Sequence, residues 1–169
     1  MSDFDYLKNI ETAARKALNR IKSKHQGDEI CAFGLYSDDG SQTICVAANT
    51  KSFLCQQITK HPEDASYYKW MTPEWKMENI ERDLFDDVQK HLSDDLSKIE
   101  SEQEFIKFQD RFFEACVQAL ENLKRDGLFS NMIAMFMVID YDNDKNLSSW
   151  AHRLNSTKEA EEFDALLAE

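Results

Sequence analysis

The sequence predicts a single α+β domain, in which a three- to four-stranded, mainly antiparallel sheet packs against several long helices. Three observations carry this prediction: a β-hairpin pattern between Ile30 and Asn49, an almost wholly apolar run from Met132 to Ile139, and three helical apolar stripes. A chain of 169 residues is long enough for one domain with a substantial core. We therefore predict one domain over residues 1–169, with a last helix at about 157–168 that can be peripheral.

The first element predicted is an amphipathic helix. Ser2 or Asp3 is placed to cap it, apolar residues recur at helical spacing from Tyr6 to Ile21, and Gly27 is suited to end it.

The hairpin follows, with a short Asp/Gly/Ser cluster between two β-prone runs. A tight turn there pairs Leu35 with Ile44 and puts the large apolar side chains on one face. The other face carries mostly small side chains and has room for a helix or a partner: Ala32, Gly34, Cys45 and Ala47.

The middle of the chain predicts further helices. A short one is expected at about 52–59, and Pro73, a residue tolerated at a first helical position, opens another that continues through Leu92. Ser101 and Glu104 have the spacing of a capping box before a third apolar stripe, which ends at Gly127.

The last third of the sequence contains the strand expected at the centre of the sheet. The eight apolar residues Met132–Ile139 are typical of a central strand buried on both faces. A fourth strand is expected at about 147–152, followed by the acidic C-terminal helix.

The charge of the chain narrows the class of partner. Its formal net charge is −12, which repels phosphate backbones, so we expect no nucleic-acid ligand. The same charge suits a basic protein partner. We find no apolar run of membrane-spanning length and no signal-peptide pattern at the N-terminus, so a cytoplasmic location and reduced cysteines are expected; the oligomeric state is left open.

Catalytic and metal-binding motifs are not found in the sequence. The four cysteines include no Cys-x-x-Cys pair, and there is no nucleophile turn, phosphate loop or His-Glu-x-x-His motif. We therefore predict that the protein is not an enzyme and has no metal site and no cofactor.

Alternating carboxylates follow the apolar run at Asp140, Asp142 and Asp144. They resemble a calcium loop, but Lys145 stands where that loop needs glycine and Ala151 where it needs a bidentate glutamate. We interpret the segment as a solvated acidic turn.

An aromatic cluster interleaved with lysines lies at 67–75 and includes Tyr68, Trp70 and Trp75. It has two interpretations, a hydrophobic lid over the sheet or a protein-binding surface, in which Trp and Tyr are enriched.

Several segments together resemble one bacterial family, catalogued as domain of unknown function 4303. They are Phe33-Gly34-Leu35-Tyr36-Ser37-Asp38-Asp39-Gly40, Ala47-Ala48-Asn49-Thr50, Tyr68-Lys69-Trp70, Glu74-Trp75, Cys116-Val117-Gln118-Ala119-Leu120, Gly127-Leu128-Phe129, Val138-Ile139-Asp140-Tyr141-Asp142 and Arg153-Leu154-Asn155. Members of this family look like the small acidic proteins found beside polymorphic toxins. The resemblance therefore implies an immunity role, in which the chain binds and neutralises a toxin, and it implies no catalytic residues.

The expected partner-binding residues fall into two groups. The rim charges are Asp38, Asp39, Asp140, Asp142 and Asp144, and the anchors, if exposed, are Tyr68, Trp70 and Trp75. The alternative is a small-molecule-binding protein or enzyme with a pocket on the small-residue face of the hairpin.

Overall fold

The computed structural model describes residues 4–168, which form seven α-helices and a four-stranded mixed sheet. The strands are β1 (Ile30–Asp38), β2 (Cys45–Thr50), β3 (Met77–Glu78) and β4 (Ile133–Ile139). The helices are α1 (Tyr6–Lys24), α2 (Lys51–Lys60), α3 (Ala65–Trp70), α4 (Asp86–Leu96), α5 (Glu102–Arg125), α6 (Asp144–Leu154) and α7 (Thr157–Leu167). The predicted α+β class is confirmed.

The order of strands in the sheet is β3-β2-β1-β4. β2 pairs antiparallel with both β1 and β3, whereas β1 and β4 are parallel neighbours. β4 is thus an edge strand, and its predicted central position is wrong. Its residues are nevertheless mostly buried, because α6 packs against the strand and covers part of the edge where a further strand would lie.

The hairpin pairs Leu35 with Val46, two residues further along than the predicted partner Ile44. The cause is a wider loop, closed by the Asp38 carboxylate, which accepts a hydrogen bond of 2.6 Å from the Thr43 hydroxyl. A shift of two residues leaves every side chain on its predicted face, because the side-chain period of a strand is two.

The first helix covers the predicted apolar span, but its N-cap is Asp5, whose carboxylate accepts a 3.0 Å hydrogen bond from the backbone N–H of Lys8, and its C-cap is His25. Ser2 and Asp3, the predicted caps, lie outside the described residues. The cap of α5 is as predicted: the Ser101 hydroxyl accepts from the backbone N–H of Glu104 at 3.3 Å.

The long helix predicted to open at Pro73 is wrong. The chain instead forms a 3-10 turn, the short strand β3 and a second 3-10 turn before α4 begins. Asn79 and Glu81 take left-handed backbone conformations, with φ of 50° and 53°. The Glu81 carboxylate is largely buried and paired with both Arg20 and Lys24 of α1, so a tertiary ion pair holds a conformation that ends helical propagation.

The fourth strand predicted at about 147–152 is also wrong, since these residues belong to α6. Asn143 caps this helix, and its side-chain oxygen accepts from the backbone N–H of Asn146 at 3.2 Å. Arg153 near its C-terminal end forms paired hydrogen bonds of 2.7–2.9 Å to Glu114 and Glu121, which tie α6 to α5.

Both faces of the sheet are covered. On the face of large side chains, the ring of Phe136 in β4 packs against Phe113 of α5, with ring centroids 5.5 Å apart. On the small-residue face, a Cβ added at Gly34 would lie 2.7 Å from the carbonyl oxygen of Met135 and 3.2 Å from the Trp75 ring. Gly34 therefore permits the close contact of β1 with β4 and with the Trp75 ring.

Replacing Gly34 with alanine tests this contact. We expect Gly34→Ala to lower the free energy of unfolding by about 1–3 kcal/mol, because the backbone of β4 cannot yield to a new methyl group as a flexible side chain can. Gly27→Ala is the matched control, since nothing lies within 4 Å of a Cβ there. Denaturant titration of both variants is the measurement, and equal stabilities would contradict the close-approach account.

Candidate functional site

The two acidic segments predicted as rim charges lie side by side at the end of the sheet where β1 and β4 finish. Asp38 and Ile139 are Cα partners at the carboxyl ends of the parallel strands β1 and β4. The turn that holds Asp39 and the loop that holds Asp140 and Asp142 therefore leave the sheet side by side. Parallel pairing of strands more than 90 residues apart in the sequence brings these carboxylates together.

The acidic residues at this end of the sheet differ in their roles. Asp38 is half-buried and its carboxylate is turned inward, accepting from Thr43 and from the backbone N–H of Gln42 at 3.0 Å. Its role is to close the turn. Asp39 is exposed, and its backbone carbonyl accepts a hydrogen bond from the side-chain amide of Gln109 on α5. Asp39 thus keeps its carboxylate toward solvent.

The three aspartates of the second acidic segment are all exposed. Asp140 has a left-handed backbone with φ of 60°, which ends β4 and turns the chain outward. Asp142 follows in the loop, and Asp144 is the first residue of α6, where a carboxylate favours the positive end of the helix dipole.

The predicted aromatic anchors belong mostly to the core. Trp70 is 0% exposed and Trp75 is 3% exposed. Trp70 packs against Phe163 of α7 at 5.2 Å between ring centroids, and the Trp75 indole N–H donates to the backbone carbonyl of Lys69 at 3.2 Å. Neither tryptophan can contact a partner directly, so the expectation that they are anchors is wrong. The same contact shows that α7 packs into the domain.

The tyrosines are the accessible members of the cluster. Tyr68 is half-buried and its ring stacks on His61 at 5.5 Å. Tyr67 is 40% exposed and its hydroxyl donates to the Glu74 carboxylate at 3.1 Å; partial burial and this carboxylate raise the pKa of the phenol. Tyr67 was not among the predicted anchors, and no feature of the sequence distinguishes it from its neighbours.

A groove of about 400 Å³ joins Tyr67 to the acidic loop that holds Asp140 and Asp142. Its floor is the carboxyl-terminal half of β4, and its walls come from α3, α6, α7 and the turn at Pro73. Apolar side chains dominate the lining, among them Tyr67, Met71, Leu147 and Leu167, while Asp140 and Asp142 stand at one end. An apolar groove with an acidic end suits an amphipathic, basic occupant.

The small-residue face of the hairpin is packed. Ala32, Gly34 and Ala47 are buried, and the Trp75 ring and the Thr72 methyl group fill the space above Gly34. Cys45 is half-buried, and burial raises the pKa of its thiol. The pocket predicted there as an alternative site is filled by these side chains.

Two of the cysteines are poor nucleophiles, and one described group of side chains is close enough to share a metal ion. Burial raises the pKa of the Cys31 thiol to about 11 and that of Cys116 well above its usual range, so both stay protonated at neutral pH. Within residues 4–168, one group of side chains, His61, Glu63 and Asp64, lies close enough to share a metal ion, with ligand atoms within 4.8 Å. All three are exposed, as acidic surface groups commonly are without a metal.

Comparison with known proteins gives one match. The model of the family described as domain of unknown function (DUF4303) matches residues 10–156, a span that includes all four strands and the acidic loop. Neither the curated proteins nor the solved structures contain a match to this chain. In the described part of the chain, the helices are too short or too polar to cross a membrane.

The core position of Trp70 leads to a stability prediction. Trp70→Ala should lower the free energy of unfolding by about 3–5 kcal/mol, because it empties a fully buried site. Tyr67→Ala, three residues earlier and exposed, should change it by no more than about 0.5 kcal/mol. Thermal melts of both variants are the measurement, and an unchanged melting temperature for Trp70→Ala is incompatible with a core role.

Proposed function

Because the chain belongs to the family described as domain of unknown function DUF4303, we propose a function from its geometry and charge. It is a protein-binding module that acts in the cytoplasm as an immunity protein, and it neutralises a basic toxin by occluding it. The observation that carries this proposal is the apolar groove with Asp140 and Asp142 at its end and Asp39 beside them.

The charge distribution supports a basic partner. A formal net charge of −12 creates a field that attracts basic surfaces and repels nucleic acid. The exposed carboxylates at the carboxyl ends of β1 and β4 concentrate part of this field next to the groove. Such an arrangement speeds diffusional encounter and orients the partner before apolar contacts form.

The groove provides the short-range contacts. Tyr67 is an exposed aromatic side chain with an apolar ring and a polar end, the type enriched among interface residues that dominate binding energy. Met71, also in the lining, adds an adaptable apolar surface. These contacts would slow dissociation once the acidic rim has brought the partner in.

A toxin is the partner class that fits best. Proteins that act on nucleic acids in the cytoplasm need basic clefts, since they must bind phosphate backbones. An acidic protein with an apolar groove can cover such a cleft and compete with the nucleic acid for it. This agrees with the resemblance to small acidic proteins encoded beside polymorphic toxins.

Co-expression tests the function and identifies the partner. We expect the chain to rescue cells that express the toxin encoded next to its own gene, and to form a complex with that toxin when both are purified. If cells expressing each adjacent toxin candidate are not rescued, the immunity function is wrong.

The acidic rim should control the association rate. Neutralising two groove-end charges in Asp140→Asn/Asp142→Asn should slow association with that toxin, and the difference should fade at high salt. Asp94→Asn/Glu102→Gln changes the net charge equally at exposed positions outside the groove and is the matched control. Stopped-flow or surface-based kinetics at two ionic strengths measure both; equal slowing by the control would contradict a localised rim.

Tyr67 should control the dissociation rate instead. Tyr67→Ala should weaken binding by about 2 kcal/mol or more, mainly through faster dissociation. Ile106→Ala removes another exposed large apolar side chain, 47% exposed on α5 and outside the groove, and should leave both rates unchanged. Similar dissociation rates for wild type and Tyr67→Ala would show that the groove is not the interface.

A further inference from the structure

The outer edge of β4 is closed at one end by a side chain. The side-chain amide of Asn155 accepts from the backbone N–H of Ala134 at 2.9 Å and donates to its carbonyl oxygen at 2.8 Å. Ala134 thus directs both backbone groups away from β1, and Asn155 occupies the place of a neighbouring strand. Because successive residues of a strand direct these groups to opposite sides, Phe136 and Val138 also direct theirs outward.

The next two outward-facing residues are both buried but have different neighbours. Phe136 is 0% exposed and lies under Trp150 of α6, with ring centroids 5.1 Å apart. Val138 is 4% exposed and lines the groove instead. Among residues 4–168, no backbone or side-chain group forms a hydrogen bond to its outward N–H or carbonyl.

Edge strands are normally protected, because unpaired backbone groups template the addition of another strand. In β4, different groups protect different parts of the edge: Asn155 closes its start and α6 covers its middle. The backbone at Val138 borders the apolar groove. An unpaired donor and acceptor at the floor of an apolar groove is the arrangement used when a peptide adds to a sheet.

We propose that a segment of the partner protein binds in this groove in an extended conformation and adds to the outer edge of β4 at Val138. This inference rests on the proposed function and specifies how the partner is held. Main-chain hydrogen bonds to Val138 supply the register, and alternate side chains of the segment face Tyr67 and Leu167 in the groove.

The occupant is a basic segment of another protein. Asp140 and Asp142 lie at the end of the added strand, where lysine or arginine side chains of the segment would pair with them. A second copy of this chain would bring its own acidic edge to the same place, and like charges there oppose edge-to-edge pairing. The left-handed backbone at Asp140 ends β4 and limits the addition to a short segment.

Nuclear magnetic resonance with a defined probe tests the proposal. The probe is an acetylated, amidated five-residue peptide of alternating lysine and valine, titrated into the ¹⁵N-labelled full chain to millimolar concentration. We expect the Val138 amide signal to shift and its hydrogen exchange to slow by about tenfold or more as its N–H becomes bonded. The same peptide with alternate backbone nitrogens methylated keeps its charge and side chains but should leave the Val138 exchange rate unchanged.

Two variants separate the backbone from the side chain at this position. Val138→Pro removes only the outward N–H from the ladder, a substitution edge strands tolerate, and should abolish the effect of the peptide. Val138→Ala keeps the N–H and should retain the effect. Circular dichroism checks that both variants fold; if Val138→Pro does not, the methylated peptide alone decides.

The outcomes distinguish this proposal from the proposed function. An unchanged Val138 exchange rate at millimolar peptide, or equal effects of the plain and methylated peptides, overturns strand addition. If Asp140→Asn/Asp142→Asn still slows association with the toxin in that case, the immunity function stands without it. Protection of Val138 by the plain peptide alone supports strand addition even where no toxin is neutralised.

Discussion

The contact between β1 and β4 is the constraint on which the rest of the structure depends. The Met135 carbonyl approaches Gly34 so closely that no side chain fits between them, and the Trp75 ring lies on the same glycine. This contact joins the N-terminal hairpin to a strand about 100 residues later and makes one sheet of them. Because the two strands are parallel, their carboxyl ends meet, and the acidic segments that follow them become neighbours.

The edge position of β4 is a second consequence of that topology. A strand with outward-facing backbone groups needs cover, which Asn155 and α6 supply over its first part. The last part, at Val138, is left beside an apolar groove with an acidic end. The same strand therefore supplies the core of the domain and the floor of the candidate binding site.

The sequence predicted the elements whose signals are local and periodic. The helical stripes of α1 and α5, the two faces of the hairpin and the burial of β4 all follow from the spacing of apolar residues. The segment after Pro73 failed because tertiary ion pairs of Glu81 with Arg20 and Lys24 override helical periodicity. The strand expected at 147–152 failed because six residues with few apolar side chains do not distinguish a strand from a helix by their periodicity.

Less of the candidate site could be predicted, because its parts meet only through tertiary structure. The acidic residues were recognised, but their convergence depends on a parallel pairing that no local pattern encodes. In the aromatic cluster, composition does not show which ring faces inward, and Trp70 proved to be core while Tyr67 is exposed. The most direct test of the account is the pattern of nuclear Overhauser effects between the backbone protons of β1 and β4. Parallel pairing predicts contacts between Hα and amide protons around Gly34 and Met135, in the register that pairs Asp38 with Ile139. An antiparallel pattern, or no contacts between these strands, would contradict it.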